Sequence, residues 1–444
     1  MTYSETLDYL FNAMPMFQAV GGDAYKPGLD RTEAFDAILG HPHHRFRTIH
    51  IAGTNGKGSV SHMIASILQQ HGFRTGLYTS PHLRDFRERI KVNGSMISEQ
   101  EVIDFVARHR TAMDKLQLSF FEMTVGLAFD HFARQKVDIA VIETGLGGRL
   151  DSTNIISPLL SVITNIGFDH MQYLGDTLPK IATEKAGIIK HNIPVVIGET
   201  NPLTAPVFTA RATEMEAPIV FADQTYRCTP LLQENRTVIP SKPASEPACR
   251  TQTYTVNPIG GGNPYTVDLD LLGDYQQRNL ATVLTAIDIL NRSCGLGISQ
   301  KETAEGAQIA AHRTGLLGRW QILANQPLTV CDTGHNAHGL RWVAAQLAHQ
   351  QYDHLYIVLG MVEDKDLSQA LPLLPREAYY IFTQASIRRA LPAADLQAAA
   401  AQYGLHGEAV PGVQAAYTRA QELALPHDMI FIGGSTFTVA DLLS

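Results

Sequence analysis

Two rhythms of apolar and polar positions run along this chain. Residues 48–52 form a short apolar run between polar neighbours, the pattern of a buried strand. A few residues on, Val60, Met63, Ile64, Ile67 and Leu68 recur at helical spacing. The same two patterns predict strands at 75–80, 137–144, 159–166, 194–198 and 218–222. They predict helices over 3–20, 32–39, 98–113, 120–132 and 178–189. Ser98 stands three residues before Glu101, the spacing of a capping box. Strands alternating with helices imply a mostly parallel sheet covered on both faces.

The rhythm breaks at 224–266, which is polar, rich in Pro and Gly, and only patchily alternating. This stretch is expected to form peripheral hairpins and a surface loop without chemistry. Helical spacing returns at 273–290 and 299–312. Thr314-Gly315-Leu316-Leu317-Gly318 follows and is expected to be a hinge. Beyond it a fresh alternation places strands at 328–331, 355–359, 379–383 and 429–433, enough for an independent Rossmann-like domain. The expected class is therefore α/β: a mostly parallel sheet domain over 1–313, which the glycine-rich turn Gly53–Ser59 after its first strand makes a P-loop-type ATPase candidate, then a smaller Rossmann-like α/β domain over 319–444. No tandem repeat interrupts this.

At 444 residues the chain exceeds one ordinary core, which agrees with two domains. Hydrophobic residues make up 45% and charged residues 18%, the balance of a globular protein. A net charge of -8 argues against a general nucleic-acid or anionic-membrane surface. Cys228, Cys249, Cys294 and Cys331 form no close pair with metal-ligand spacing, which suits a reducing cytosol. The first residues lack a signal-peptide pattern, and no apolar run approaches the roughly 20 residues of a membrane span. A cytoplasmic monomer is expected.

Chemistry enters where the first strand breaks into Gly53-Thr54-Asn55-Gly56-Lys57-Gly58-Ser59. Strand, glycine turn and helix point backbone N–H groups and a helix N-terminus at a phosphate. Lys57 can neutralise charge on β- and γ-phosphates. The standard phosphate loop would need glycine where Ile51 stands and a hydroxyl where Gly58 stands. The metal-binding hydroxyl must then come from elsewhere. The bland alternative is a glycine turn with an incidental lysine.

In open parallel sheets, ligands sit beyond the carboxyl ends of strands. Three further strands of the first domain end in Ser80, Glu143 and Asp169-His170. A hydroxyl, a carboxylate and an imidazole can hold Mg²⁺ beside phosphates. Singly, Ser80 could cap a turn, Glu143 could pair with an arginine and His170 could be structural. In the second domain, Asp332 and His335 follow a strand and could orient a nucleotide or phosphate. Arg319, just past the hinge, could reach an anionic ligand or form a linker salt bridge.

These motifs resemble the folylpolyglutamate synthase/dihydrofolate synthase family of the Mur ligase superfamily. The resemblance is carried by G-T-N-G-K-G-S (53–59), T-S-P-H-L (79–83), E-R-I-K-V-N-G (88–94) and E-T-G-L-G-G-R-L-D-S-T-N (143–154). It extends through D-H (169–170), E-K-A-G-I (184–188), R-N (278–279), G-R (318–319), D-T-G-H-N (332–336) and G-M-V-E-D-K-D (360–366). Two departures stand out: Ala337 where the family usually has proline, and a long 224–266 segment. The resemblance implies ATP and Mg²⁺, with Ser80, Glu143 and His170 as metal ligands. It implies a carbamylated Lys185 as a further magnesium ligand, where the plain alternative is a surface lysine paired with Glu184. It implies nucleotide contacts from Asn279, Arg319 and Asp332, a phosphate-proximal His335, and ATP held between the phosphate loop and the second domain.

The implied reaction starts with attack of a carboxylate of dihydropteroate, or the γ-carboxylate of a reduced folate, on the γ-phosphate of ATP. The amine of L-glutamate then displaces phosphate from the acyl phosphate to form an amide. A P-loop kinase or GTPase would not need a carbamylated lysine or an amine acceptor. A catalytically dead binding protein should have lost Lys57, Glu143 or Lys185. A peptidoglycan-precursor ligase would usually carry a UDP-binding domain ahead of the loop, for which the preceding stretch is expected to be too short.

Overall fold

The structure is a computed structural model that describes residues 1–12, 28–231, 238–239 and 249–444. Part of the helix expected over 3–20, and residues 232–237 and 240–248 of the segment expected to be peripheral, lie outside these. The chain forms two compact units. One comprises Met1–His82, Phe86–Asp270 and Gln276–Leu316; the other comprises Leu83–Asp85, Leu271–Tyr275 and Leu317–Ser444. The second unit thus recruits two short segments from far earlier in the chain.

In the first unit, helices α1 (Tyr3–Asn12) and α2 (Asp30–Ile38) precede strand β1 (Arg47–Ala52) and helix α3 (Lys57–Gln70). Then come β2 (Thr75–Tyr78), β3 (Ile90–Val92), β4 (Ser95–Met96), α4 (Glu99–Leu116), α5 (Phe120–Arg134), β5 (Ile139–Glu143) and β6 (Leu160–Ile163). Helices α6 (Met171–Leu174) and α7 (Leu178–Ala186), strand β7 (Val195–Ile197), helix α8 (Ala205–Glu214) and strand β8 (Ile219–Phe221) complete the α/β part. The sheet order is β4-β3-β2-β5-β1-β6-β7-β8. The six strands from β2 to β8 run parallel, and β3 and β4 add an antiparallel edge. Strands β2, β5 and β6 are buried at every position, as strands covered on both faces must be.

Ser98 and Glu101 form the expected capping box on α4, and Ser119 with Glu122 forms another on α5. These helices pack Val102, Phe105, Phe129 and Phe132 onto Ala140 and Ile142. Elsewhere on the sheet, Ala182 and Ala186 of α7 and Phe208 of α8 pack with Ile163, Val195 and Ile197.

Part of the segment expected to be loop and hairpins is a three-stranded antiparallel sheet. It consists of β9 (Tyr226–Pro230), β12 (Gln252–Pro258) and β13 (Tyr265–Leu269), with β12 central. A two-residue pair, β10 (Val238–Ile239) and β11 (Cys249–Arg250), lies between them in the chain. Burial alternates along β12, so that Tyr254 and Val256 face inward. The helix expected over 273–290 is α9 (Gln276–Cys294), and residues 273–275 are not helical. The helix expected over 299–312 is two, α10 (Gln300–Gln308) and α11 (Ala310–Thr314), broken at Ile309. Gly315 closes α11 at a φ of 66°, a left-handed value that favours glycine.

The second unit is a six-stranded sheet in the order β14 (Gln321–Asn325), β15 (Leu328–Cys331), β19 (Met429–Gly433), β16 (Leu355–Gly360), β17 (Tyr379–Thr383) and β18 (His406–Ala409). Only β14 is antiparallel. The expected four strands are present, and β14 and β18 were not expected. Both sit at the edges, where burial is incomplete and the apolar signal is weak. Alternate strand residues feed two cores: Ile357, Leu359, Tyr380 and Phe431 on one side, Val358, Ile381, Ile430 and Ile432 on the other.

Candidate active site

Strands β2, β5, β1 and β6 are consecutive and parallel in the sheet, so their carboxyl ends form one edge. That edge carries Ser80, Glu143, the phosphate loop and Asp169-His170, in the same spatial order.

Two glycines let the phosphate loop pass where no side chain would fit. A Cβ on Gly53 would lie 1.9 Å from Thr164 Oγ1, and one on Gly56 would lie 2.3 Å from Asn279 Oδ1. Gly56 has a φ of 83° and precedes α3, whose first N–H groups lack intrahelical partners. The loop hangs on the chain after β6. Thr54 N–H donates to Asn165 O at 2.9 Å, Asn55 N–H to Asn165 Oδ1 at 2.9 Å, and Thr164 Oγ1 to Asn55 O at 2.6 Å. Gln276 Nε2 donates to Ser59 Oγ at 3.1 Å, and Asn279 Nδ2 to Gln276 Oε1 at 2.7 Å. Gln276, Thr164 and Asn165 were not anticipated. The polar Thr-Asn pair directly after an apolar strand was the available signal.

Lys57 Nζ donates to Gly53 O at 3.1 Å and Thr54 O at 3.3 Å. Lys185 Nζ donates to that same Gly53 oxygen at 2.9 Å. Lys185 is only 4% exposed, and its ammonium is pulled down to about 7, by burial first and by the Lys57 charge second. Asp169 and Asp151 act in the opposite direction. Lys185 is therefore no surface lysine, and Glu184 pairs instead with Arg149 at 2.8 Å.

The Gly145–Asn154 loop holds the helix that carries Lys185. Cβ atoms on Gly148 would lie 2.9 Å from both Glu184 O and Lys185 O, and one on Gly187 would lie 2.3 Å from Arg149 Cα. Arg149 N–H donates to Glu184 O at 2.7 Å, and Asn154 Nδ2 donates to Arg149 O and Gly187 O, both at 3.1 Å. Buried Asp151 accepts from the N–H groups of Gly145, Leu146 and Thr153 and so folds the loop on itself.

Glu143 is buried at the end of β5, and Ser80 N–H donates to its Oε2 at 3.3 Å. His170 has a left-handed φ of 51°, and its Nε2 lies 3.9 Å from Asp169 Oδ2. Among the described residues, no three His, Cys, Asp or Glu side chains surround a possible metal position. Ser80, Glu143 and His170 would therefore need oxygen donors from outside this class.

In the second unit, Asp332 is buried and accepts from Tyr275 OH, Trp320 N–H and Gly334 N–H, each at 2.7 Å. Burial pushes its carboxyl up. Its position makes it an organiser of the loop after β15, and Tyr275 was not anticipated. Arg319 Nη1 donates to Thr333 Oγ1 and to Gly318 O, and His335 Nδ1 donates to Thr333 O at 2.9 Å.

A glycine-rich phosphate loop at the carboxyl edge of a parallel sheet, with a second α/β unit beyond it in the chain, defines a nucleotide-using α/β enzyme. Residues 51–287 match the Mur ligase middle domain, and residues 318–436 match the Mur ligase glutamate ligase domain. A dihydrofolate synthase/folylpolyglutamate synthase of Bacillus subtilis is 36% identical over 84% of this chain and 84% of its own length. The structure of Escherichia coli FolC in complex with DHPP and ADP superposes with a TM-score of 0.84 at 27% identity, covering 100% of this chain and 97% of that one. A bifunctional folylpolyglutamate synthase/dihydrofolate synthase from Yersinia pestis, complexed with AMPPNP and Mn ion, gives a TM-score of 0.80 at 26% identity, covering 100% and 97%. The chain belongs to the folylpolyglutamate synthase/dihydrofolate synthase family of Mur ligases, ATP-dependent enzymes that join a carboxylate to an amine.

Proposed function

We propose that this chain adds L-glutamate to dihydropteroate, to the γ-carboxylate of reduced folates, or to both, at the expense of ATP. The observation that supports it most directly is the convergence of Lys57 and buried Lys185 on one oxygen of the phosphate loop. In this reading, residues 53–59 and Asn279 hold the nucleotide phosphates. Lys57 stabilises charge on the γ-phosphate while the acceptor carboxylate attacks and ADP leaves. The glutamate amine then attacks the acyl carbon, phosphate departs with the bonding pair, and the amine loses a proton. Arg319, Asp332 and His335 are the second unit's proposed nucleotide and phosphate residues, and 314–318 is the proposed division between the ATP-binding and glutamate-ligase parts.

A divalent cation accords with the Mn-bound relative, and Ser80, Glu143 and His170 would hold Mg²⁺ together with phosphate oxygens. When bound, the ion supplies charge neutralisation on the transferring phosphate. Lys185 is the proposed fourth ligand, as a carbamate: its neutral amine adds to the carbon of CO₂ and releases one proton. A lysine brought down to about 7 offers that neutral amine near physiological pH. A cytoplasmic, monomeric enzyme completes the proposal, and no helix among the described residues is long and apolar enough to cross a membrane.

The test is purified protein with ATP, L-glutamate and either dihydropteroate or a tetrahydrofolate, followed by mass spectrometry. The expected result is ADP release that depends on glutamate and a product heavier by one glutamyl residue. ADP release unaffected by glutamate would point instead to a kinase-like or hydrolytic activity.

A further inference from the structure

Asn165 holds the phosphate loop by two different groups. Its backbone oxygen accepts from Thr54 N–H, and its side-chain Oδ1 accepts from Asn55 N–H. A side-chain amide can turn over, and only its partners decide which end faces which way. Asn165 Nδ2 donates to Glu199 Oε1 at 3.3 Å. A carboxylate can only accept and a backbone N–H can only donate, so one amide orientation satisfies both neighbours. Glu199 is in turn held by Arg278 Nη1 on its other oxygen. The residue before it, Gly198, passes close to the loop's anchor, since a Cβ there would lie 2.1 Å from Thr164 O. Arg278 belongs to the first turn of α9, beside Gln276, which donates to Ser59 Oγ, and Asn279, which donates to Gln276.

We propose that Glu199 is a positioning residue for the phosphate loop, acting through the orientation of the Asn165 amide. The Arg278–Glu199 pair, with Arg278 about half exposed, would by itself count for little. Its consequence lies inward. Without the carboxylate only the Asn55 N–H still orders the Asn165 amide, so the turned form, which sets an NH₂ against that N–H, gains population. The loop then loses one of the bonds that hold its backbone ready for phosphate.

The inference rests on the ligase reading only in taking residues 53–59 as the nucleotide site. Amide hydrogen exchange of the ligand-free protein, with calorimetry of MgADP binding, tests the two separately. In Glu199→Ala, the Asn55 amide should exchange about tenfold faster and MgADP should bind about tenfold more weakly, the size of one hydrogen bond. Amides in the body of α3 should keep their protection. Asn165→Asp, which sets two carboxylates together, should also expose the Asn55 amide. Asn165→Asp with Glu199→Gln should restore its protection, because the glutamine amide donates to the new carboxylate. A general packing role for Glu199 would not produce that rescue. Wild-type exchange at Asn55 in Glu199→Ala, or a double variant no better protected than Asn165→Asp, would overturn the proposal. Failure of the wild-type protein to bind MgADP would defeat the ligase reading, while exchange in the ligand-free protein would still decide the role of Glu199.

Discussion

Lys57 and Lys185 share one carbonyl oxygen, yet their surroundings assign them different work. Lys57 is partly exposed on the first turn of α3, where a phosphate can replace its two carbonyl partners. Lys57→Ala should lower turnover by ~10²–10³ while leaving the circular dichroism spectrum unchanged, since a preorganised charge is lost without a core contact. A folded variant with near-normal turnover would remove the loop from the chemistry. Lys185 is buried, and burial favours its neutral form. Between about 7 and the ordinary lysine value of 10.5, the unfolded chain binds a proton that the folded chain does not. Stability contributed by this group is therefore complete above 10.5 and is lost as pH falls through 7. In CO₂-free buffer, wild type should gain stability relative to Lys185→Met between pH 7 and pH 10, read by urea denaturation at each pH. A flat difference would mean the amine is not buried as described. If the lysine works as a carbamate, Lys185→Ala should lose most activity and short-chain carboxylates should restore part of it. Equal rescue by chloride would sink the carbamate.

At the scale of elements, the G-L-G-G-R-L-D-S-T-N loop matters because it seats a helix. It approaches α7 so closely that neither Gly148 nor Gly187 can carry a side chain without displacing backbone. Gly187→Ala should destabilise the first unit by about 1–3 kcal/mol, the usual cost of overpacking. It should also lower turnover by ~10², because a small misplacement of Lys185 is enough to disturb alignment at the phosphate. Denaturant titration and steady-state kinetics measure the two effects. An unchanged rate in a destabilised protein would show that the loop supports the fold alone.

For the whole molecule, the two units have separate cores, and both tryptophans of the chain, Trp320 and Trp342, lie in the second. Tryptophan emission therefore follows the second unit, whereas far-ultraviolet circular dichroism follows both. Guanidinium unfolding should give non-coincident curves by the two probes, the mark of a departure from two-state behaviour. MgADP at a hundredfold over its Kd should stabilise the unit that binds it by about 2.7 kcal/mol. That shift should be larger by circular dichroism than by emission. Coincident curves that move together would show one cooperative structure.

Much of this molecule was legible in its sequence because its signals are local. Buried parallel strands are continuous apolar runs, helices repeat at their own period, and capping boxes such as Ser98 with Glu101 are spelled out within four residues. The phosphate loop is likewise contiguous, and its missing hydroxyl at Gly58 could be noticed from spacing alone. The edge strands β14 and β18 went unseen because half-exposed strands carry little apolar contrast. Which strand ends adjoin was decided only by the sheet order, which makes neighbours of β2, β5, β1 and β6 from places far apart in the chain. The same holds for Lys185, whose lowered basicity comes from burial and from Lys57, and for the links from Asn165 to Glu199 and from Tyr275 to Asp332. Burial, charge proximity and hydrogen-bond complementarity depend on distances that chain order does not contain, and only the tertiary structure supplied them.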